Sequence, residues 1–314
     1  MFGQFASRLA SAALLLAGAA IVSFLLIRLV PGDPAVALLG NEADDAALAQ
    51  LRHGLALDRT LVIQFAAWFV RVLSGDLGRS IESGRPVLSM LLSALGPTAI
   101  LSATAMCVAI VLGIPGGVYM ATHRRSARAS ALSALSFVGL SAPSFWLGLL
   151  LVLAFSIRLP LFPASGYVSP FESIGGQIWR LALPATTLAI PLSAAMMRMT
   201  RSAMLPALRA PHIRTALANG VPVGRVIWRH AFPSALPSIM ALLAIQAGQL
   251  LGGVVVTETV FSWPGVGKLT VDAVFARDYP LIQGAVLMSA FVFVLLASVA
   301  DCLQSVFDPR VRLQ

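Results

Sequence analysis

Residues 98–121 read Thr98-Ala-Ile-Leu-Ser-Ala-Thr-Ala-Met-Cys-Val-Ala-Ile-Val-Leu-Gly-Ile-Pro-Gly-Gly-Val-Tyr-Met-Ala121, 24 positions without one Asp, Glu, Lys or Arg. A helix crosses the hydrocarbon layer of a bilayer with about 20 consecutive, mostly apolar residues. This stretch is long enough. It lies in a charge-free run, 86–123, that is too long for a single span. Pro97 suits the first position of a helix, where its missing N–H costs nothing, so the span is expected to start there.

Five further charge-free runs occupy 9–27, 129–157, 181–197, 230–257 and 279–300, with 19, 29, 17, 28 and 22 residues. The expected fold is all-α, a polytopic membrane bundle forming one domain over 1–314. Its six transmembrane helices are expected near 9–30, 98–121, 132–157, 181–200, 234–257 and 280–303, with an external segment at 31–96 and a loop at 201–233. Composition agrees. Of 314 residues 58% are hydrophobic and 11% charged, against about 45–50% and about 25% in soluble domains. Apolar surface at that density excludes a disordered chain, a collagen and almost any soluble enzyme.

A cleaved leader is the competing reading of the first run, since Arg8 and Ala35-Val-Ala37 imitate its charged start and cleavage site. The run is longer than a typical leader core, and Pro31 and Pro34 intervene, so an uncleaved helix is expected. Orientation follows from the basic residues in the loops. With six spans, one side collects Arg8, Arg124, Arg125, Arg128, Arg198, Arg201, Arg209, Arg214, Arg225, Arg229, Arg310 and Arg312 against only Asp301 and Asp308. That side is expected to be cytoplasmic and to hold both termini. The net charge of +9 then reports topology rather than nucleic-acid binding.

The spans place Arg28, Arg158, Arg198, Glu258 and Asp301 only at their ends, which argues against an ion-coupled carrier. Gly113, Gly116, Gly117, Gly248, Gly252 and Gly253 suit close helix packing. Catalytic signatures fail on inspection. Gly265-Val-Gly267-Lys268-Leu269 lacks the first glycine and the hydroxyl residue of a phosphate loop, and Gly139-Leu-Ser141-Ala-Pro143 is no nucleophile elbow. Cys107 and Cys302 sit in apolar runs, and His53, His123, His212 and His230 are scattered, so no metal site is expected. Such a chain draws its energy from a partner.

The loop Arg209-Ala-Pro-His-Ile-Arg-Thr-Ala-Leu-Ala-Asn-Gly220-Val-Pro-Val-Gly-Arg-Val-Ile-Trp-Arg-His230 is the informative element. Pro211 suits the start of a short helix, Gly220 the left-handed residue that ends it, and Pro222 the start of a second helix. A tethered DNA-binding motif, a solvated loop and a docking helix inserted into a partner's groove compete. The element is short and tethered at both ends, against the DNA-binding motif, and a solvated loop poorly explains Pro and Gly placed where helix ends require them, so the docking helix is expected.

This loop resembles the coupling loop of ABC-importer permeases, in particular the dipeptide, oligopeptide and nickel branch. Arg214-Thr-Ala216-Leu-Ala-Asn-Gly220 and the following Arg229-His230-Ala231 carry the likeness. It continues in Arg28-Leu-Val-Pro-Gly-Asp-Pro34, Gly75-Asp-Leu-Gly-Arg-Ser80, Ser141-Ala-Pro-Ser-Phe-Trp146, Thr257-Glu-Thr-Val-Phe-Ser-Trp-Pro-Gly-Val-Gly267, Arg277-Asp-Tyr-Pro-Leu-Ile-Gln-Gly284 and Asp308-Pro-Arg310. The family usually carries basic residues near the positions of Leu217 and Asn219, and its proline after the Arg-His element is displaced here to Pro233 and Pro237.

The resemblance implies a type I importer permease in a bacterial or archaeal inner membrane, without enzymatic chemistry of its own. It implies a second homologous permease, two ATPase subunits that hold ATP and magnesium, an extracytoplasmic substrate-binding protein and membrane lipid as partners, with no nucleic acid. Ile213, Arg214, Thr215, Ala216, Leu217, Gly220, Arg229 and His230 would then face the ATPase. Glu258, Trp263, Pro264, Gly265 and Gly267, in a hairpin over 258–280, are entrance candidates. Segment 60–73, with Asp58 as its cap, carries Leu61, Phe65, Trp68, Phe69 and Val72 at helical spacing. It reads as an interfacial helix that packs on the bundle or meets the binding protein. The alternative function, a stand-alone carrier or intramembrane enzyme, lacks both midplane carboxylates and a catalytic set.

Overall fold

The computed structural model describes residues 2–29, 44 and 60–307. Among them every regular element is helical, apart from one isolated antiparallel bridge between Arg79 and Pro86. Helix α1 covers Phe2–Leu29, α2 Leu61–Leu73, α3 Val87–Thr122, α4 Ala127–Ser141 and α5 Ser144–Val152, which runs into a π-helical turn over Leu153–Arg158. Helix α6 is Ile174–Ala207 and α7 Pro211–Ala218. The short α8, Val223–Arg225, continues through a second π-helical turn, Val226–Ala231, into α9, Phe232–Val260. Helices α10, Val266–Ala276, and α11, Tyr279–Phe307, complete the chain.

Four described helices are long and apolar enough to cross a membrane: Val87–Thr122, Ile174–Ala207, Val223–Leu250 and Tyr279–Val299. Ala10–Leu25 is a shorter apolar helix. The expected third span, 132–157, is not one rod. Ala127–Ser141 and Ser144–Arg158 meet at 106°, so the pair counts as a fifth span only if a broken one is admitted. The cause is Pro143. A residue before proline is pushed out of the helical region, and Ala142 is extended at φ −78°, ψ 129°.

Pro97 does the opposite of what its position suggests. It lies inside α3, which begins ten residues before it, so the expected start at 98 is corrected to Val87. Pro184, Pro191 and Pro206 likewise sit within α6. A proline removes one hydrogen bond from a helix, and in a long helix of this kind the remaining ladder carries the rod past it.

The chain divides into two compact units. The first comprises Met1–Leu95 and Leu269–Val294. In it Phe24 of α1 meets Phe65 at 5.2 Å and Trp68 at 5.5 Å between ring centroids. The aromatic stripe of α2 thus packs on α1, while Leu61, expected on the same stripe, is exposed. Thr60, without a side-chain cap bond, holds the N-cap position. Asp58, most of 31–59, and the Arg28–Pro34 and Asp308–Arg310 motifs beyond residue 29 or 307 lie outside the described residues. Ser23 and Gln283 exchange hydrogen bonds with each other's carbonyls at 3.2 Å. The Gly75–Ser80 motif is pinned by the Ser80 hydroxyl, which donates to buried Asp278 at 2.5 Å.

The second unit comprises Gly96–Lys268 and Leu295–Gln314. Helix α6 is its strut, packed by α4, α5 and α9. Cβ atoms at Gly113 and Gly117 of α3 would stand 2.5 Å from Met196 and Thr200 of α6, so these glycines permit a close crossing. A Cβ at Gly252 or Gly253 of α9 would meet nothing within 4 Å among the described residues. One apolar cluster joins Leu101, Leu181, Leu188, Val254 and Trp263. A second, at the other end of α6 and α9, joins Met196, Met204, Ile213, Val226, Ala231 and Ile239.

Candidate functional site

The 209–231 loop is built on that second cluster. Pro211 occupies the first turn of α7 and Ala210, extended at φ −61°, ψ 145°, precedes it. Gly220 ends the helix at φ +77°. Its N–H donates to the Leu217 carbonyl at 3.0 Å, and the Val221 N–H donates to the Ala216 carbonyl at 3.1 Å. These two bonds form the Schellman closure that satisfies the last carbonyls of a helix. Val223 then begins the second helix, with Pro222 at its N-cap.

The faces of α7 are set by its core contacts. Ile213 is 2% exposed and packs with Met204, Ala207, Val226 and Ala231. The expectation that Ile213 offers apolar area to a partner is therefore corrected: the residue anchors α7 to α6 and to the second π-helical turn. Ala216 is half-buried against the same cluster. Arg214, Thr215, Ala218 and Asn219 are exposed, and Leu217 is 45% exposed. Arg229 is exposed and His230 half-buried on the π-helical turn. The outward face is thus one apolar residue among small, polar and basic ones.

The second group of candidates occupies the far end of α9. Glu258 and Trp263 are wholly buried, and Gly265 and Gly267 are buried with them. Only Pro264 is exposed. The Thr98 hydroxyl donates to Glu258 Oε1 at 2.6 Å, and the Lys268 N–H donates to Oε2 at 3.0 Å. The Val266 N–H donates to Thr98 Oγ1 at 2.9 Å, and the Trp263 indole donates to the Pro97 carbonyl at 2.9 Å. A Cβ at Gly265 would collide with the Glu258 carboxylate, and one at Gly267 would stand 2.6 Å from Val255 Cα.

The carboxylate and the indole of these entrance candidates are thus engaged in internal bonds, and Pro264 alone among them faces outward. Segment 258–280 is more than a hairpin loop, since it contains the helix α10. Spacing gave no sign of the missing partner, Thr98, which lies 160 residues from Glu258. Among the described residues no group of three His, Cys, Asp or Glu side chains is placed to hold a metal.

Comparison with known proteins decides the family. Residues 113–313 match the family described as binding-protein-dependent transport system inner membrane component, and residues 1–101 match its N-terminal companion. The chain belongs to this family of transport-system permeases. The permease is 37% identical over 305 residues to a probable peptide ABC transporter permease of Sinorhizobium fredii, covering 97% of each chain. It is 35% identical to the dipeptide transport system permease DppB of Alkalihalophilus pseudofirmus, covering 95% of each. It is also 37% identical to the glutathione transport system permease GsiC of Salmonella choleraesuis, covering 93% of each. In fold the permease resembles the inward-facing methionine ABC transporter MetNI, with a TM-score of 0.58 at 17% identity, over 70% of this chain and 96% of that one.

Proposed function

We propose that the permease forms one transmembrane half of an ATP-driven importer for di- or oligopeptides and that α7 is the element its ATPase grips. The family match along both halves of the chain supports the role, and the names of the relatives support the substrate class. In this reading a second homologous permease completes the pathway. Two ATPases hold ATP and magnesium, and an external binding protein delivers the peptide. The basic loop side, with both termini, faces the cytoplasm of a bacterial or archaeal cell. Ala10–Leu25 and the broken α4–α5 pair join the four long apolar helices to make six spans.

The single observation that carries the coupling role is the two-faced α7. Its inner residue, Ile213, is locked into a cluster shared by α6 and the start of α9. Its outer face is free for a groove. Movement of an ATPase that holds the outer face therefore moves the ends of two long helices together, because a close-packed cluster transmits displacement rather than absorbing it.

The test compares Leu217→Asp with Arg214→Ala in the co-expressed complex. Ala216 is the poorer probe because it packs partly inward. A buried unpaired charge costs far more than a lost contact at a rim. Leu217→Asp is expected to abolish co-purification of the ATPases and Arg214→Ala to weaken it modestly. Full ATPase binding and transport by Leu217→Asp would show that α7 is merely solvated.

A further inference from the structure

Glu258 is a carboxylate buried away from the surface of the chain. The bonds it makes form a pattern. Two of the first three N–H groups of α10 are held here: that of Val266 donates to Thr98 Oγ1 and that of Lys268 to the Glu258 carboxylate. The first turn of a helix leaves its N–H groups without partners in the helix. It favours negative charge. Here the negative cap is supplied by the last turn of the preceding long helix, and α3 holds the cap in place through the Thr98 hydroxyl and the Pro97 carbonyl. Glycine at 265 and 267 is what lets the carboxylate come so close.

The other end of that long helix is the loop proposed to meet the ATPase. From Val223 to Val260 the backbone is helical without interruption, through the π-helical turn at Val226–Ala231. These 38 residues make a rod of roughly 57 Å at 1.5 Å per residue. Its near end shares the Ile213 cluster and its far end carries Glu258.

Resting on the importer reading above, we infer that Glu258 and Thr98 are positioning residues that form the output clip of this rod: they carry displacement of the 209–231 loop to the start of α10 and thereby couple ATP hydrolysis to peptide passage. A carboxylate that accepts from a backbone N–H at one oxygen and a hydroxyl at the other is held by charge-assisted bonds, which are shorter and stronger than neutral ones. The joint is therefore stiff, so the start of α10, residues 266–268, follows the end of α9.

The test uses the assembled importer in proteoliposomes, with its binding protein and a dipeptide. Thr98→Val keeps the shape of the side chain and removes the hydroxyl, Thr98→Ser keeps the hydroxyl, and Glu258→Gln removes the charge. Thr98→Val and Glu258→Gln are expected to lower peptide transported per ATP hydrolysed by roughly tenfold, the equivalent of one lost charge-assisted hydrogen bond. Subunit assembly and basal ATP hydrolysis are expected to stay as in the wild type, and Thr98→Ser to couple normally. Amide exchange at 266–268 is expected to quicken in Thr98→Val. Normal coupling in both Thr98→Val and Glu258→Gln overturns the inference. So does a parallel fall in assembly, basal hydrolysis and transport with an unchanged ratio, which would make the clip a fold element only. A wild-type chain that draws no ATPase into the complex overturns the importer reading and the inference with it; a wild type that couples, with variants that couple equally, overturns the inference alone.

Discussion

Gly220 offers a clean perturbation, because its surroundings separate backbone cost from packing. Its φ is +77°, and a Cβ added there meets nothing within 4 Å. A larger residue therefore meets no steric wall, and only the left-handed backbone penalises it. That penalty is about 1–2 kcal/mol for an ordinary L-residue. It is smaller for Asn, which tolerates this region, and largest for a β-branched residue. If the loop relaxes to relieve it, the bonds from Gly220 to Leu217 and from Val221 to Ala216 are lost and the end of α7 opens. About 1.4 kcal/mol corresponds to a tenfold change in binding. Gly220→Val is thus expected to weaken ATPase binding roughly ten- to thirtyfold, with Gly220→Ala between it and Gly220→Asn. Gly224 is the control, since it also meets nothing within 4 Å but has no positive φ. The assay is titration of purified ATPase against the permease in lipid nanodiscs. Equal affinity for the Val and Asn variants at 220, or an equal loss for Gly224→Val, would refute the reasoning.

Ile213→Ala removes a side chain buried in the cluster that seats α7 and is expected to cost about 2–5 kcal/mol; a thermal melt of the purified chain in detergent reads it. Gly117→Val would place a Cβ 2.5 Å from Thr200 Cβ and 2.6 Å from the Met197 carbonyl. A cost of about 1–3 kcal/mol is expected there, with a lower melting temperature than Gly252→Val, whose site is open. Cysteines introduced at positions 45 and 210, in a background lacking Cys107 and Cys302, are expected to label from outside and from the cytoplasm respectively. The reverse pattern would invert the topology.

Charge-free runs made the helices legible, because only helices that avoid water can dispense with charge over so many positions. Their joints were less legible. Pro97, Pro143 and Pro191 offer the same missing N–H, yet only Pro143 breaks its helix. The residue before a proline is disfavoured in a helix at all three places, yet only Ala142, before Pro143, leaves the helical region. Gly220 was readable because a left-handed residue after a short helix is a local requirement. Ile213 was not, since an apolar position on α7 has the same spacing whether it meets a partner or its own chain. The burial of Glu258 was hidden for a related reason. A carboxylate in a turn rich in Pro and Gly looks exposed until Thr98 and the start of α10 close around it.

If the outer face of α7 seats an ATPase subunit, position 217 lies within cross-linking reach of that subunit. The permease carries Leu217→Cys in a background without Cys107 and Cys302, and single cysteines are placed around the rim of the ATPase surface. Rapid disulfide formation is expected between position 217 and the ATPase, at a rate that changes when ATP is bound, and none from position 45. Cross-linking from 45 but not from 217, in a complex that still transports peptide, would contradict it.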